Sequence, residues 1–303
     1  MFCCFLTICS CNIYNSRIVF NELVCTVEQC DFISISNSLD GSSMYYSNSL
    51  GNVSISHSSF QNCINNAGVG VSATFYVIGK SFLSICNSVF QTKAYDAPSG
   101  YASSATFNNH SHFSVSFVSG SYRGLFADQG RINENQLNIS NFDLKTSGAF
   151  IRLNPSLECS IYRTNIVHSK GACVLAFYGT LNDPHNVQLM NCYNITSSLD
   201  GQVLVSTAGT ILLNNCYLCN YRPLSLFNVA SSSIPKISNS FLEQSSVSAS
   251  YDAGGNSFGI CITYGIEATF YQCQINILTK VMSKKSPSIF IVFYLNLYTT
   301  VPI

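Results

Sequence analysis

The sequence predicts an all-β solenoid, a right-handed parallel β-helix of about 10 coils with a mean repeat of about 27 residues. Three observations carry this: short runs that alternate apolar and polar residues, a loose recurrence of similar strand contexts, and a composition nearly without charge. The 303 residues hold 14 acidic and 14 basic side chains, so charged residues are 9% of the chain, against about 25% in an ordinary soluble domain. Ser (47) and Asn (30) together make up about a quarter of it. Apolar residues reach 47%, which excludes a disordered chain. With no charge excess there is nothing to neutralise phosphates, so nucleic acid is excluded as a partner. A helical bundle is excluded because Ser and Asn compete with helical backbone bonds.

Along the chain, residues 1–25 read as an N-terminal cap or a weak signal-like segment. The run Phe2-Cys-Cys-Phe-Leu6 is apolar, but it lacks the basic start and small-residue cleavage site of a signal peptide. Residues 26–280 read as the solenoid. Asn52-Val-Ser-Ile-Ser-His57, Phe113-Ser-Val-Ser-Phe117 and Gln202-Val-Leu-Val-Ser206 each put apolar side chains on one face, the strand period of two. Turn formers such as Asp40-Gly41 and Asp200-Gly201 separate the runs. One anchor per coil is placed at Phe32, Phe60, Phe90, Phe117, Leu144, Ile166, Asn194, Leu218, Phe241 and Ile275. Two longer echoes support the repeat: Ser36-Asn-Ser-Leu-Asp-Gly41 returns at 197–201, and Tyr95-Asp-Ala97 returns at 251–253. Stacking like on like accounts for the composition. Apolar residues and Cys fill a narrow interior, Asn at the bends pairs between coils, and Ser and Thr cover an outside where a charged ladder would repel itself. Residues 281–303 read as cap strands or a truncated anchor, since the apolar run at 289–298 is shorter than the roughly 20 residues of a spanning helix.

On these residues the chain resembles right-handed parallel β-helix, pectate-lyase-like proteins. It is similar in particular to the polymorphic-membrane-protein-like surface families of parasitic protists such as trichomonads. Those families carry Gly-Gly-Ala-[Ile/Leu/Val] repeats. Here only degenerate forms occur, Ser147-Gly-Ala-Phe-Ile151 and Lys170-Gly-Ala-Cys-Val174, and the families' Phe-x-x-Asn motif is absent. The resemblance implies a cell-surface or secreted protein.

The 15 Cys are an odd number, so at least one thiol is unpaired within the chain. Cys30, Cys192, Cys216 and Cys273 precede anchors by two residues and are expected inside, with Cys192 and Cys216 neighbours in adjacent coils. Free stacked thiols are favoured over disulfides, which are left to Cys3, Cys4, Cys9 and Cys11, because strand spacing of about 4.8 Å exceeds what a disulfide spans. The sequons at Asn52, Asn109 and Asn138 are candidate glycosylation sites, while Asn194 is expected inside.

The β-helix fold hosts polysaccharide enzymes, so catalysis needs a test. Glycoside hydrolysis needs paired carboxylates, and polyuronate elimination needs clustered Asp for a cation plus a basic residue. No two Asp adjoin, and no Gly-His-Gly or Arg-x-Lys occurs. The densest polar cluster is Arg123, Asp128, Arg131 and Glu134. These are the candidate ligand-binding residues, against a solvated loop as the plainer reading. His110 and His112 flank Ser111 and are expected on one solvent-facing side, with no third ligand to make a metal site. No cofactor is expected. The reading is a structural or adhesive surface module, leaning away from catalysis, that presents a Ser/Asn/Thr/Tyr ladder to a host or matrix glycan or protein. Membrane association would run through a missing or degenerate anchor, and no oligomeric state is assigned. The alternative is a divergent polysaccharide lyase or glycoside hydrolase.

Overall fold

The computed structural model describes residues 5–9, 12–144, 149–178, 185–206, 211–222, 225–229, 236–243, 252–254 and 257–259. Among them there is no helix, and every strand pairing is parallel. The chain is a β-solenoid of about 7 turns with a repeat near 26 residues. That is fewer turns than the ten units expected, whose last anchor, Ile275, lies outside the described residues. No described helix is long and apolar enough to cross a membrane.

Each turn contributes one strand to each of three columns. Column I stacks 18–20, 44–48, 75–79, 100–104, 125–128 and 149–154. Column II stacks 24–28, 52–56, 81–85, 107–111, 131–135 and 159–162. Column III stacks 31–33, 59–61, 88–90, 114–116, 138–140 and 165–167. Long strands such as Phe75–Ile85 run from column I into column II through a register shift between Gly79 and Ser81. The strand Phe5–Cys9 pairs with Val24–Glu28, so the columns continue into the first 25 residues.

The bends follow a rule that composition does not display. Column II ends on a residue with positive φ in turn after turn: Gln29, His57, Cys86, His112, Gln136, Arg163, Leu189, Asn215 and Asn239. Five residues later column III ends the same way, at Ser34, Asn62, Gln91, Phe117, Asn141 and His168. Left-handed backbone is uncommon for non-glycine residues because Cβ crowds the carbonyl. Here a hydrogen bond between turns holds it. The His57 N–H donates to Ile85 O, and the Asn62 N–H donates to Phe90 O, each at 3.0 Å.

The residue after each bend points inward and repairs the broken ladder. Ser58 Oγ accepts the Cys30 N–H (3.1 Å) and donates to Ser56 O (2.9 Å). Ser240 does the same for Cys216 and Ser238, and Ser169 for Phe142 and Val167. Cys occupies the equivalent corner and makes the same contact two residues back, from Cys63 to Gln61 O (3.4 Å) and from Cys216 to Asn214 O (3.5 Å). Buried backbone groups need partners, and Ser and Cys are the small side chains that can reach them. Much of the Ser therefore works inside the corners, where the expectation had put it outside. The Asn ladder expected at the bends resolves into separate pairs, such as Asn165 Nδ2 to Asn138 Oδ1 at 3.0 Å.

Inside column III the stack is Phe32, Phe60, Val89, Val115, Ile139, Ile166, Cys192 and Leu218. Phe32 and Phe60 lie ring on ring at 4.7 Å. Four expected anchors coincide with it: Phe32, Phe60, Ile166 and Leu218. Phe90 is off by one residue. Phe117 is a bend residue, 53% exposed. Leu144 and Asn194 belong to other positions of the turn, because Ile139 and Cys192 hold the stack there. The error carries over to the cysteines. Cys30, Cys192 and Cys216 are indeed buried, but Cys192 stacks between Ile166 and Leu218 while Cys216 takes a corner. The two Gly-Ala motifs are also out of register, since Ala149 pairs with Cys173, 24 residues on. Gly148, and the candidate disulfide partners Cys3, Cys4 and Cys11, lie outside the described residues.

Cys25, Cys63, Cys159, Cys173, Cys192 and Cys216 are free thiols inside the solenoid. Burial pushes Cys25 up from 9.0 to about 12, helped by nearby Glu22, and burial lifts Cys159 and Cys192 further. In the unfolded chain these thiols lose protons first. Their contribution to stability is therefore whole below about pH 9 and declines as pH rises toward the folded values. Thermal melting between pH 8 and 11 is expected to fall steeply, and Cys25→Val to flatten the slope. An unchanged slope in the variant would remove Cys25 from this account.

Candidate functional site

Column I carries one outward row that is unlike the rest of the surface. In register it reads Val19, Tyr45, Tyr76, Tyr101, Phe126, Arg152 and Ala176. The row arises because position 45 and its equivalents alternate with the inward residues Met44 and Tyr46, Phe75 and Val77. Tyr45 and Tyr76 stack at 5.4 Å with planes 2° apart, and Tyr76 and Tyr101 at 4.5 Å and 9°. Phe126 tilts by 47° against Tyr101 at 5.0 Å. The rings cover one another's faces, so the row offers solvent its edges and hydroxyls. Among the described residues, no hydrogen-bond partner is found for the hydroxyls of Tyr45, Tyr76 or Tyr101. Burial, then the neighbours Tyr101, Asp40 and Tyr45, push Tyr76 up to about 12 against the pull of Arg123. Burial, with Asp128 next, raises Tyr101 as well. Both stay protonated donors at neutral pH.

Cations close the row. Arg17 lies 4.7 Å from the Tyr45 ring centre and is pinned by bonds to Asp40 O (2.8 Å) and Gly41 O (3.1 Å). Arg123 sits 3.9 Å over Phe126 and grips Asp96 with both Nε and Nη2. Such a forked pair fixes its guanidinium. Arg152 follows, 4.0 Å from the Tyr178 ring and hydrogen-bonded to the Tyr122 hydroxyl (2.6 Å). The three carboxylates nearby are committed. Asp40 Oδ1 accepts the Val71 N–H, Asp96 holds Arg123, and Asp128 accepts from Ser103 Oγ (3.2 Å) and Asn154 Nδ2 (2.6 Å). In a chain with so few charges, this face gathers six of them.

The cluster picked out in the sequence is taken apart by the turns. Arg123 and Asp128 lie on column I beside the tyrosine row. Arg131 is exposed on column II, paired with Glu158 at 3.2 Å. Glu134 points into the core, fully buried, with its Oε1 2.8 Å from His110 Nδ1. His110 and His112 do not share a face. His112 is the bend residue with φ 54°, which ends the alternation, and His110 is buried among Phe75, Phe82 and Phe113. Among the described residues no group of three His, Cys, Asp or Glu could hold a metal ion. Of the sequons, Asn52 is exposed, Asn109 half-buried, and Asn138 buried against Asn165, so Asn138 is withdrawn as a glycan acceptor in the folded chain. The side chain of Asn194 lies outside the described residues. Sequence reasoning missed Tyr45, Tyr76 and Tyr101 as individual residues, because their spacings of 31 and 25 show no common period before the strands are stacked.

No family model matches the chain, and neither a curated protein nor a solved structure matches it.

Proposed function

We propose that the chain is a non-catalytic module of a surface or secreted protein, and that its tyrosine row binds a glycan chain lying along the solenoid axis. The observation that carries this is the run of three parallel tyrosines with solvent-facing, unpartnered hydroxyls, repeating at the strand spacing of about 4.8 Å. A periodic row of donors suits a ligand that is itself periodic and rich in oxygen. The ring edges carry the positive end of the aromatic quadrupole and add to that preference. Asp40, Asp96 and Asp128 favour binding over the lyase or hydrolase alternative, since each carboxylate already serves a structural bond and a general acid or base must be free to exchange its proton.

The test is affinity electrophoresis of the full chain through gels holding β-glucan, mannan or dextran. At least one polymer should retard it. Tyr76→Ala should weaken that binding about tenfold, roughly 1.4 kcal/mol, while Tyr162→Ala on column II leaves it unchanged. No retardation by any polymer, or equal effects of the two variants, would overturn the reading. Release of shortened polymer would put the chain among the enzymes instead.

A further inference from the structure

The tyrosine row ends on Arg152, and the surroundings of that residue point to a second element of recognition. Its guanidinium is held in an aromatic cage, 4.0 Å from the centre of Tyr178, 5.2 Å from Tyr122 and 5.8 Å from Phe126. Arg123 shares two of these rings but is neutralised by Asp96. Arg152 takes part in none of the ion pairs among the described residues, which are His110–Glu134, Arg123–Asp96 and Arg131–Glu158. The nearby carboxylate of Asp128 is engaged by Ser103 and Asn154. Arg152 is thus an uncompensated cation on the ligand-facing row.

Its free donors select the kind of anion. Nη1 is spent on the Tyr122 hydroxyl, and Nε is buried without a partner. A planar carboxylate binds Arg best across one edge with two parallel N–H groups, and neither edge of Arg152 is wholly open. What remains is Nη2 together with the O–H of Tyr122. That oxygen accepts from Arg152, so its own proton is available to donate, and the side chain is 36% exposed. Two donors diverging from separate side chains suit a tetrahedral group with three outward oxygens.

We infer that Arg152 and Tyr122 form a subsite for a tetrahedral oxyanion ester, a sulfate or phosphate monoester, carried by the glycan that lies on the tyrosine row. The inference rests on the glycan-binding reading above. The chain's net charge of zero removes general attraction to polyanions as a competing cause.

The experiment compares full-chain binding to dextran, dextran sulfate, phosphomannan and polygalacturonate by calorimetry. One ester polymer should bind at least tenfold more tightly than dextran, with affinity falling as salt rises, and the better of the two identifies the ester. Arg152→Gln should erase that preference while leaving the dextran value and the melting temperature as in the wild type. Tyr122→Phe, which keeps the ring and removes the donor, should erase part of it. A preference that survives Arg152→Gln, or polygalacturonate binding as tightly as the esters, would overturn the subsite. If dextran and the other neutral polymers bind while esters gain nothing, the subsite alone fails. If no polymer binds at all, the glycan reading fails with it.

Discussion

Glu134→Leu should destabilise the protein by about 3–5 kcal/mol, the cost of stranding one partner of a buried ionisable pair. His110 and Glu134 face each other across adjacent turns of column II at 2.8 Å, both with no exposed surface. Neither has another side-chain partner, since His110 Nε2 and Glu134 Oε2 are buried without hydrogen bonds. Removing the carboxylate leaves an imidazole with two unmet nitrogens among three phenylalanines. Breaking the pair is costly, whereas replacing both members with apolar side chains of similar volume often is not. The double variant His110→Phe/Glu134→Leu should therefore recover most of the loss, and the cycle should show strong coupling. Urea unfolding of the four proteins measures it. Additive single effects would sink the claim that the two side chains satisfy only each other.

The second large effect is at Phe75. This ring packs against Phe60, Phe82, Phe113 and His110, and Phe75→Ala should cost about 3–5 kcal/mol. The next turn makes room for it with Gly100, where a Cβ would sit 2.2 Å from the ring. Gly100 also has φ of 151°, which side chains rarely adopt. Gly100→Ala should accordingly destabilise by several tenths of a kcal/mol at the least, and by more where the clash adds to the strain. Combining it with Phe75→Ala separates the two causes. Relief of the clash alone would leave the backbone strain, so rescue should be partial. Full rescue would show that φ at Gly100 costs nothing.

The fold class was legible because stacking leaves two marks in any sequence that adopts it: period-two runs and a shortage of charge. The register was not legible, and the bends are the reason. A search for turn formers looks for Gly, Asn and Asp, yet this chain bends at Cys86, Phe117, Arg163 and Leu189, whose left-handed backbone is held by hydrogen bonds from the next turn. Phe117 thus passed for an interior anchor. Glu134 could have been placed correctly, since it shares strand parity with the buried Ile132. Its acidity argued against the interior, and its partner lies 24 residues away on another turn. The tyrosine row required the register before it could exist as a row, so the candidate surface was out of reach of composition and spacing alone.

The row's step has a further property. The distance between Tyr45, Tyr76 and Tyr101 is set by main-chain pairing, which fixes neighbouring strands about 4.8 Å apart whatever side chains they bear. A point mutation can erase a rung but cannot shift one. Such a surface works as a ruler with fixed graduations, and selection can alter which marks are inked without ever changing the scale.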